Sequence, residues 1–184
     1  MPSFSQKMPP YRRFSLMRIR ALRRLFYGRG HGIHSPLAYA SVFSLLRPFS
    51  GYYIDDEEIA EVAGEDEMVW FRMLARLRPS ETRYELRQEG LFRAMERYAF
   101  SRQDPSGPLL AVTDTRQGAD RIFGENQTRR PLVLLYSGVR ENGACERDFL
   151  SVLSSFQNGV VLDFFTGALF FNNNQERYYY RTTL

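Results

Sequence analysis

The two histidines of this chain lie three residues apart, at His31 and His34, and Ser35 follows directly. Imidazole groups at this spacing are able to act as an acid and a base, or to bind a metal ion. No third metal ligand is identifiable beside them, so no metal site is predicted. We interpret His31, His34 and Ser35 either as a structural connection into a helix or as residues that contact a ligand.

Cys145 and Asp114 are two further side chains that could take part in chemistry. Cys145 is the single cysteine, which excludes an intramolecular disulfide, and the basic residue close to it in sequence is Arg147. A packed, unreactive thiol is therefore the favoured interpretation. Asp114 follows the short apolar run 109–113. Its carboxylate is suited to orienting a substrate, but a helix cap or turn former is the favoured interpretation.

Charge is divided sharply along the sequence. The first 54 residues contain nine Lys and Arg residues and no acid, although the whole chain carries only +4. Eight acidic residues without a base then follow between Asp55 and Glu67. Five arginines gather on one side of a predicted amphipathic helix at 11–27, and they form a candidate anion-binding surface. They are Arg12, Arg13, Arg20, Arg23 and Arg24.

This basic helix has three interpretations. It contacts nucleic-acid phosphates, lies on an anionic membrane surface, or caps the protein with its arginines solvated or paired with the acidic stretch 55–67. The third is favoured, because runs of charge usually form solvated surface. The scattered aromatic residues do not discriminate among the three, since no predicted strand shows the exposed aromatic spacing of an RNA-binding platform. Nucleic-acid binding stays open as an alternative.

Composition predicts a globular protein of one domain. The chain has 184 residues, of which 43% are hydrophobic, so it is able to bury a substantial core. Arginines interrupt the apolar residues near the N-terminus, and no later run reaches the length of a membrane span. We therefore expect a cytoplasmic protein without integral membrane association.

The order of the predicted elements is typical of an α/β protein with a helical cap. Residues 1–10 are predicted to be a flexible tail, followed by one domain at 11–184, with a cap at 11–78 and a sheet core at 79–184. Helices are predicted at 11–27, 36–46, 68–77, 89–101 and 143–156, and a further one from Asp55–Asp56 to Gly64. Strands are predicted at 109–113, 131–136, 160–165, 168–171 and 177–182, with turns at 158–159, 166–167 and 172–175.

The segment GRGHGIHSPLAY at 28–39 resembles the His-Gly-Ile/Val-His-Ser-Pro segment of a class I methyltransferase-like family that binds S-adenosylmethionine (SAM). The resemblance continues at 52–85 and 109–184. It implies a reduced Rossmann-type sheet with an N-terminal helical cap and a C-terminal antiparallel strand pair. The stretch LLAVTDTRQGADRIF at 109–123 is similar to the family's strand that ends in an Asp and leads into a helix. Asp114 is thereby expected at the carboxyl edge of the sheet.

The resemblance also implies that the SAM site is damaged. The family's Glu-x-Gly-x-x-x-Gly loop corresponds to Tyr84–Leu91, where Arg87 replaces the first glycine. Glu85, Gly90 and Asp114 are the vestigial cofactor-binding residues. About twenty residues separate Gly90 from the strand at 109–113, too few for the two strand–helix units that the family has there. No acid follows the strand at 131–136, so a carboxylate cluster for a metal is not expected.

These observations favour a degenerate methyltransferase-like protein that acts as a binding or structural module, with no catalytic residues and no cofactor. One alternative is an active SAM-dependent methyltransferase with an unusual site or a site completed by a partner. The other is a nucleic-acid-binding protein that uses the basic helix. Two missing strands would leave a sheet edge exposed, so a homo-oligomer formed through such an edge is a further expectation.

Overall fold

The computed structural model of the protein describes residues 40, 45, 63–99, 104–126 and 131–181. From residue 63 onwards, the helices are α1 (Glu65–Leu77), α2 (Gly90–Tyr98), α3 (Arg116–Glu125) and α4 (Gly143–Ser155). The strands are β1 (Glu81–Glu85), β2 (Leu109–Thr113), β3 (Leu132–Tyr136), β4 (Asn158–Asp163), β5 (Ala168–Glu176) and β6 (Tyr178–Arg181). The α/β class predicted from the sequence is confirmed.

The strands form one mixed sheet in the order β1-β2-β3-β5-β4-β6. β1, β2 and β3 are parallel, β5 is antiparallel to both β3 and β4, and β6 is parallel to β4. Helix α2 connects β1 to β2 and α3 connects β2 to β3, as parallel neighbours require. The carboxyl ends of β1, β2 and β3 therefore meet at one end of the sheet.

The sequences of β2 and β3 explain their central position in the sheet. Every residue of β2 (LLAVT) and β3 (LVLLY) is buried, which is typical of parallel strands covered on both faces. Side chains just beyond them start the helices. Thr115 accepts a hydrogen bond from the Gly118 amide at the start of α3, and Asn142 accepts two from the first turn of α4.

Two apolar layers cover the faces of the sheet. Helices α1 and α2 pack on one face, where Trp70 and Met95 are fully buried against Leu110 and Val112. Helices α3 and α4 pack on the other, where Ile122 and Phe149 are buried with the alternate residues of the same strands. This two-sided burial follows from the period-2 alternation of strand side chains.

The predicted helical cap is described only in part. Ala40 and Leu45 have helical backbone, in agreement with the helix predicted at 36–46, and the Leu45 carbonyl accepts a hydrogen bond from Arg72 of α1. The rest of the cap before Ala63, including the basic helix at 11–27, lies outside the described residues. Within the described ranges, no helix has both the length and the apolarity needed to cross a bilayer.

Several predicted boundaries agree with the structure, and three predictions are wrong. β2 has the predicted bounds, and α4 ends one residue early. The predicted turn at 158–159 belongs to β4, and the predicted turn at 172–175 belongs to β5, which continues to Glu176. The register of the β4–β5 pairing shifts between Asn158 and Val160, and this irregularity accommodates both turn-like segments within the strands. The connection between β4 and β5 spans 164–167 rather than only Thr166–Gly167.

Candidate functional site

A cleft of about 550 Å³ lies at the carboxyl ends of β1, β2 and β3. In open α/β sheets, ligands bind in crevices at this end of parallel strands. The cleft combines charged, polar and apolar groups, and its volume is within the range of small-molecule sites. The lining residues are Glu67, Leu86, Arg87, Gln88, Gly90, Leu91, Phe92, Asp114, Ser137 and Glu141.

An ion pair between Arg87 and Asp114 lies across one side of this cleft. Arg87 Nε donates to Asp114 Oδ2 at 2.8 Å, and the Arg87 backbone amide donates to Oδ1 at 3.3 Å. These bonds raise the pKa of Arg87, so the guanidinium keeps its charge. Thr115, and not Asp114, is the N-cap of α3. The side chain of Asp114 therefore engages Arg87 instead of capping the helix.

Two further carboxylates, those of Glu67 and Glu141, line the cleft. Glu67 lies in the first turn of α1, where its Oε2 accepts a hydrogen bond from the Gly64 amide at 2.9 Å. Burial raises the pKa of Glu67, and the nearby charges of Asp66 and Glu141 raise it further. Glu141 lies in the connection from β3 to α4. The cleft thus has three acidic side chains and one arginine among the residues that line it.

Asp66 fixes α1 to the end of the sheet beneath the cleft. Its buried carboxylate accepts hydrogen bonds from Ser137 Oγ at 2.6 Å, the Gly138 amide at 2.9 Å and Thr166 Oγ1 at 2.7 Å. Burial raises the pKa of Asp66 and outweighs the three donors, which act in the opposite direction. Ser137 is the hydroxyl residue among the lining residues, and this bond restrains it.

The three residues expected to be vestiges of a cofactor site are only partly brought together. Gly90 and Asp114 both line the cleft, whereas Glu85 at the end of β1 accepts hydrogen bonds from Arg121 of α3 at 2.9 Å. A Cβ on Gly90 would have no atom within 4 Å, so the structure does not require glycine at this position. Their role in cofactor binding stays a prediction.

Cys145 has a basic neighbour that its sequence context does not show. Arg87 is distant in sequence, but it interacts with the Cys145 thiol as well as with the Asp114 carboxylate. The Tyr136 ring packs on Phe149, which lies one turn beyond Cys145 in α4. The Tyr136 hydroxyl is buried, and none of the described residues forms a hydrogen bond with it. Burial raises the pKa of this phenol, so Tyr136 is neutral at physiological pH.

A second polar cluster lies at the carboxyl end of β4, and the sequence interpretation missed it entirely. Arg140 donates to both carboxylate oxygens of the buried Asp163, at 2.8 and 2.6 Å. Tyr179 donates to the same carboxylate at 2.6 Å, and Arg181 donates to it at 3.3 Å. A lone acid at the end of an apolar strand was the available signal. The cluster links β4 and β6 to the connection between β3 and α4.

The remaining predicted site residues lie outside the described residues. They are His31, His34 and Ser35, the candidate ligand contacts, and Arg12, Arg13, Arg20, Arg23 and Arg24, the candidate anion-binding residues. Over the ranges that the structure describes, no group of three or more His, Cys, Asp or Glu residues is arranged to hold a metal ion.

Comparison with known proteins gives no relative from which a function could be transferred. No family model matches the chain, and neither does any curated protein or solved structure. The chemistry of the cleft must therefore be inferred from its own residues. They provide hydrogen bonds, charge and apolar contact, which are the properties of a binding site.

Proposed function

We propose that this protein is a non-catalytic binding protein, built on a reduced methyltransferase-like sheet that has lost its SAM site. The observation that carries the proposal is the Arg87–Asp114 ion pair. It joins the loop after β1 to the end of β2, at the position where the resemblance places the cofactor. SAM bound at that position would have to displace Arg87 and leave the Asp114 carboxylate without its cation.

The residues present do not fit SAM. A glycine in the first loop position would let the ligand approach the backbone, but Arg87 places a long side chain in the cleft. The connection from β1 to β2 contains α2 as its helix, and β1 pairs directly with β2. The described residues of this segment, 86–99 and 104–108, contain no strand that could supply the acid by which the family that the chain resembles binds ribose hydroxyls.

Among its described lining residues, the cleft has no activated nucleophile. Nucleophilic catalysis needs a nucleophile next to a free base. Among the lining residues, the Ser137 hydroxyl donates to Asp66, whose carboxylate is buried and engaged by two further donors. We infer that the fold has been retained for binding, and that the protein is not an enzyme.

Calorimetric titration of the full-length protein with SAM and S-adenosylhomocysteine tests this proposal. We expect no binding heat from a sample whose cooperative thermal unfolding shows that it is folded. Arg87→Gly is the informative variant, because it removes the side chain from the cleft without restoring the missing strand. It should also give no heat.

Micromolar binding by the wild-type protein would overturn the proposal and support an active methyltransferase with an unusual site. Binding that is gained only in Arg87→Gly would show that the cofactor site is blocked, and would contradict the loss of its adenosine half. After either result, methyl acceptors would be the next ligands to test.

A further inference from the structure

We propose that the cleft at the carboxyl ends of β1, β2 and β3 binds a small organic cation, a primary amine carried on an apolar body. This inference rests on the proposed function, because it requires a cleft that does not hold SAM. It is drawn from the position of the cleft, from two lining carboxylates that have no counter-charge among the described residues, and from the apolar surface of the lining.

The position of the cleft indicates a ligand independently of its charge. Parallel strands direct their carboxyl ends, and the loops that follow, toward one end of the sheet, where ligands of open α/β sheets bind. Here the loops after β1, β2 and β3 all contribute to the lining, through Arg87, Asp114 and Ser137. Helix α1 adds Glu67 to the lining.

The charge of the cleft determines the class of ligand. Asp114 is neutralised by Arg87 at 2.8 Å. In the part of the chain that the structure describes, no Lys or Arg forms an ion pair with Glu67 or Glu141. These two carboxylates repel each other, and Glu67 is half-buried. A cation placed between them would remove that repulsion and supply the missing counter-charge.

The rest of the lining favours a cation with a hydrocarbon body over a hydrated metal ion. Leu86, Leu91 and Phe92 contribute apolar surface, and Phe92 is held by an edge contact with Trp70 at 6.5 Å between ring centroids. An ammonium group has three donors for carboxylate oxygens, and its carbon chain is able to cover the apolar wall. An aliphatic amine therefore matches both the carboxylates and the apolar surface of the cleft.

The test uses 1,5-diaminopentane as the probe and 1,5-pentanediol as its uncharged counterpart, each titrated into the full-length protein by calorimetry. We expect the diamine to bind and the diol not to bind. Raising the salt concentration should weaken binding of the diamine, because its contacts with Glu141 are exposed to solvent.

Glu67→Gln is the decisive variant. It removes the charge but keeps a side-chain oxygen that accepts the Gly64 amide, so the start of α1 is preserved. We expect diamine affinity to fall about tenfold or more, as for loss of a charge-assisted hydrogen bond. Glu125→Gln is the matched control, because it changes the net charge equally on an exposed residue outside the cleft lining.

Absence of diamine binding, equal binding of the diol, or unchanged affinity in Glu67→Gln would each overturn the inference. None of these results affects the proposed loss of the SAM site. Conversely, heat from SAM in the same protein preparation would refute the proposed function, and the inference with it. The two failures are therefore distinguishable.

Discussion

Asp163 and Arg140 form a buried ion pair in which the carboxylate also accepts hydrogen bonds from Tyr179 and Arg181. Burial acts to raise the pKa of Asp163, but the donors outweigh it and hold the pKa below its usual range. The folded state therefore favours the ionised carboxylate. This preference stabilises the fold above the unfolded-state pKa and is lost as the pH falls through the folded-state pKa.

We predict that Asp163→Asn lowers the free energy of unfolding at pH 7 by about 3–5 kcal/mol, because it leaves the half-buried Arg140 without its main counter-charge. The difference between the two proteins should narrow as the pH falls below about 3.8, the ordinary pKa of Asp in the unfolded chain, toward the lower pKa of Asp163 in the folded protein. Urea unfolding monitored by circular dichroism at a series of pH values measures both effects.

Glu125→Gln is the control at an exposed ion pair with Arg83, where a change below about 1 kcal/mol is expected. An equal loss of stability in both variants would mean that burial does not set the contribution of these pairs. A difference that stays constant down to pH 2 would contradict the role assigned to ionised Asp163.

The residue pairs that define the cleft were not predictable from local sequence. Asp114 was expected at the carboxyl edge of the sheet, and it lies at the end of β2. Its partner Arg87 is 27 residues away, and the two meet only because β1 and β2 are parallel neighbours. Local patterns predict where a side chain leaves an element. They do not predict which distant side chain it contacts.

At the scale of elements, two glycines differ in whether the structure would accept a larger residue in their place. Gly159 in β4 has φ of +122°, and a Cβ there would lie 2.0 Å from the Phe171 carbonyl oxygen. Gly90 begins α2, and a Cβ there would meet no atom within 4 Å. Only the first position requires a glycine.

We predict that Gly159→Ala destabilises the protein by more than about 2 kcal/mol, because the added methyl group requires strained backbone and displaces β5. Gly90→Ala should leave stability unchanged or raise it by up to about 1 kcal/mol, since alanine has the higher helix propensity. Midpoints of thermal unfolding compare the two directly. Equal destabilisation by both changes would contradict this assignment.

Strands β2 and β3 were predicted well from the sequence, whereas the ends of β4 and β5 were not. The apolar runs of β2 and β3 admit one interpretation, and their bounds were predicted to within a residue. Asn158–Gly159 and the polar run 172–175 are typical of turns, yet they lie in paired strands. Tertiary pairing with an irregular register overrides their local preference, and single-sequence patterns do not contain that pairing.

At the scale of the molecule, the two edges of the sheet differ in character. β1 presents Glu81, Arg83 and Glu85, and charged side chains on an edge strand oppose pairing with another chain. β6 is composed of three tyrosines and an arginine, and Tyr178 and Tyr179 are 43% and 38% exposed. Within the described ranges, no strand pairs with the outer side of β6.

We predict that the protein forms a dimer through antiparallel pairing of two β6 strands, since a two-fold axis brings an edge strand against its own copy. Light scattering coupled to size exclusion should give twice the mass of the chain. Tyr178→Lys should produce a monomer by placing a charge on this edge. Leu150→Lys is the control, because Leu150 is 54% exposed on α4. A wild-type monomer would contradict the prediction.

The position of β4 between β5 and β6 constrains the order in which this half of the sheet is assembled during synthesis. We expect β4 to pair first with β5, because the two strands are neighbours along the chain and a short connection joins them. β6 leaves the ribosome after both, and it completes the pairing of β4 and the hydrogen bonds to Asp163. A nascent chain that had reached only Glu176 would expose the edge of β4, with Arg140 as the side-chain donor left to Asp163. This half of the sheet therefore closes only after Arg181 has been synthesised.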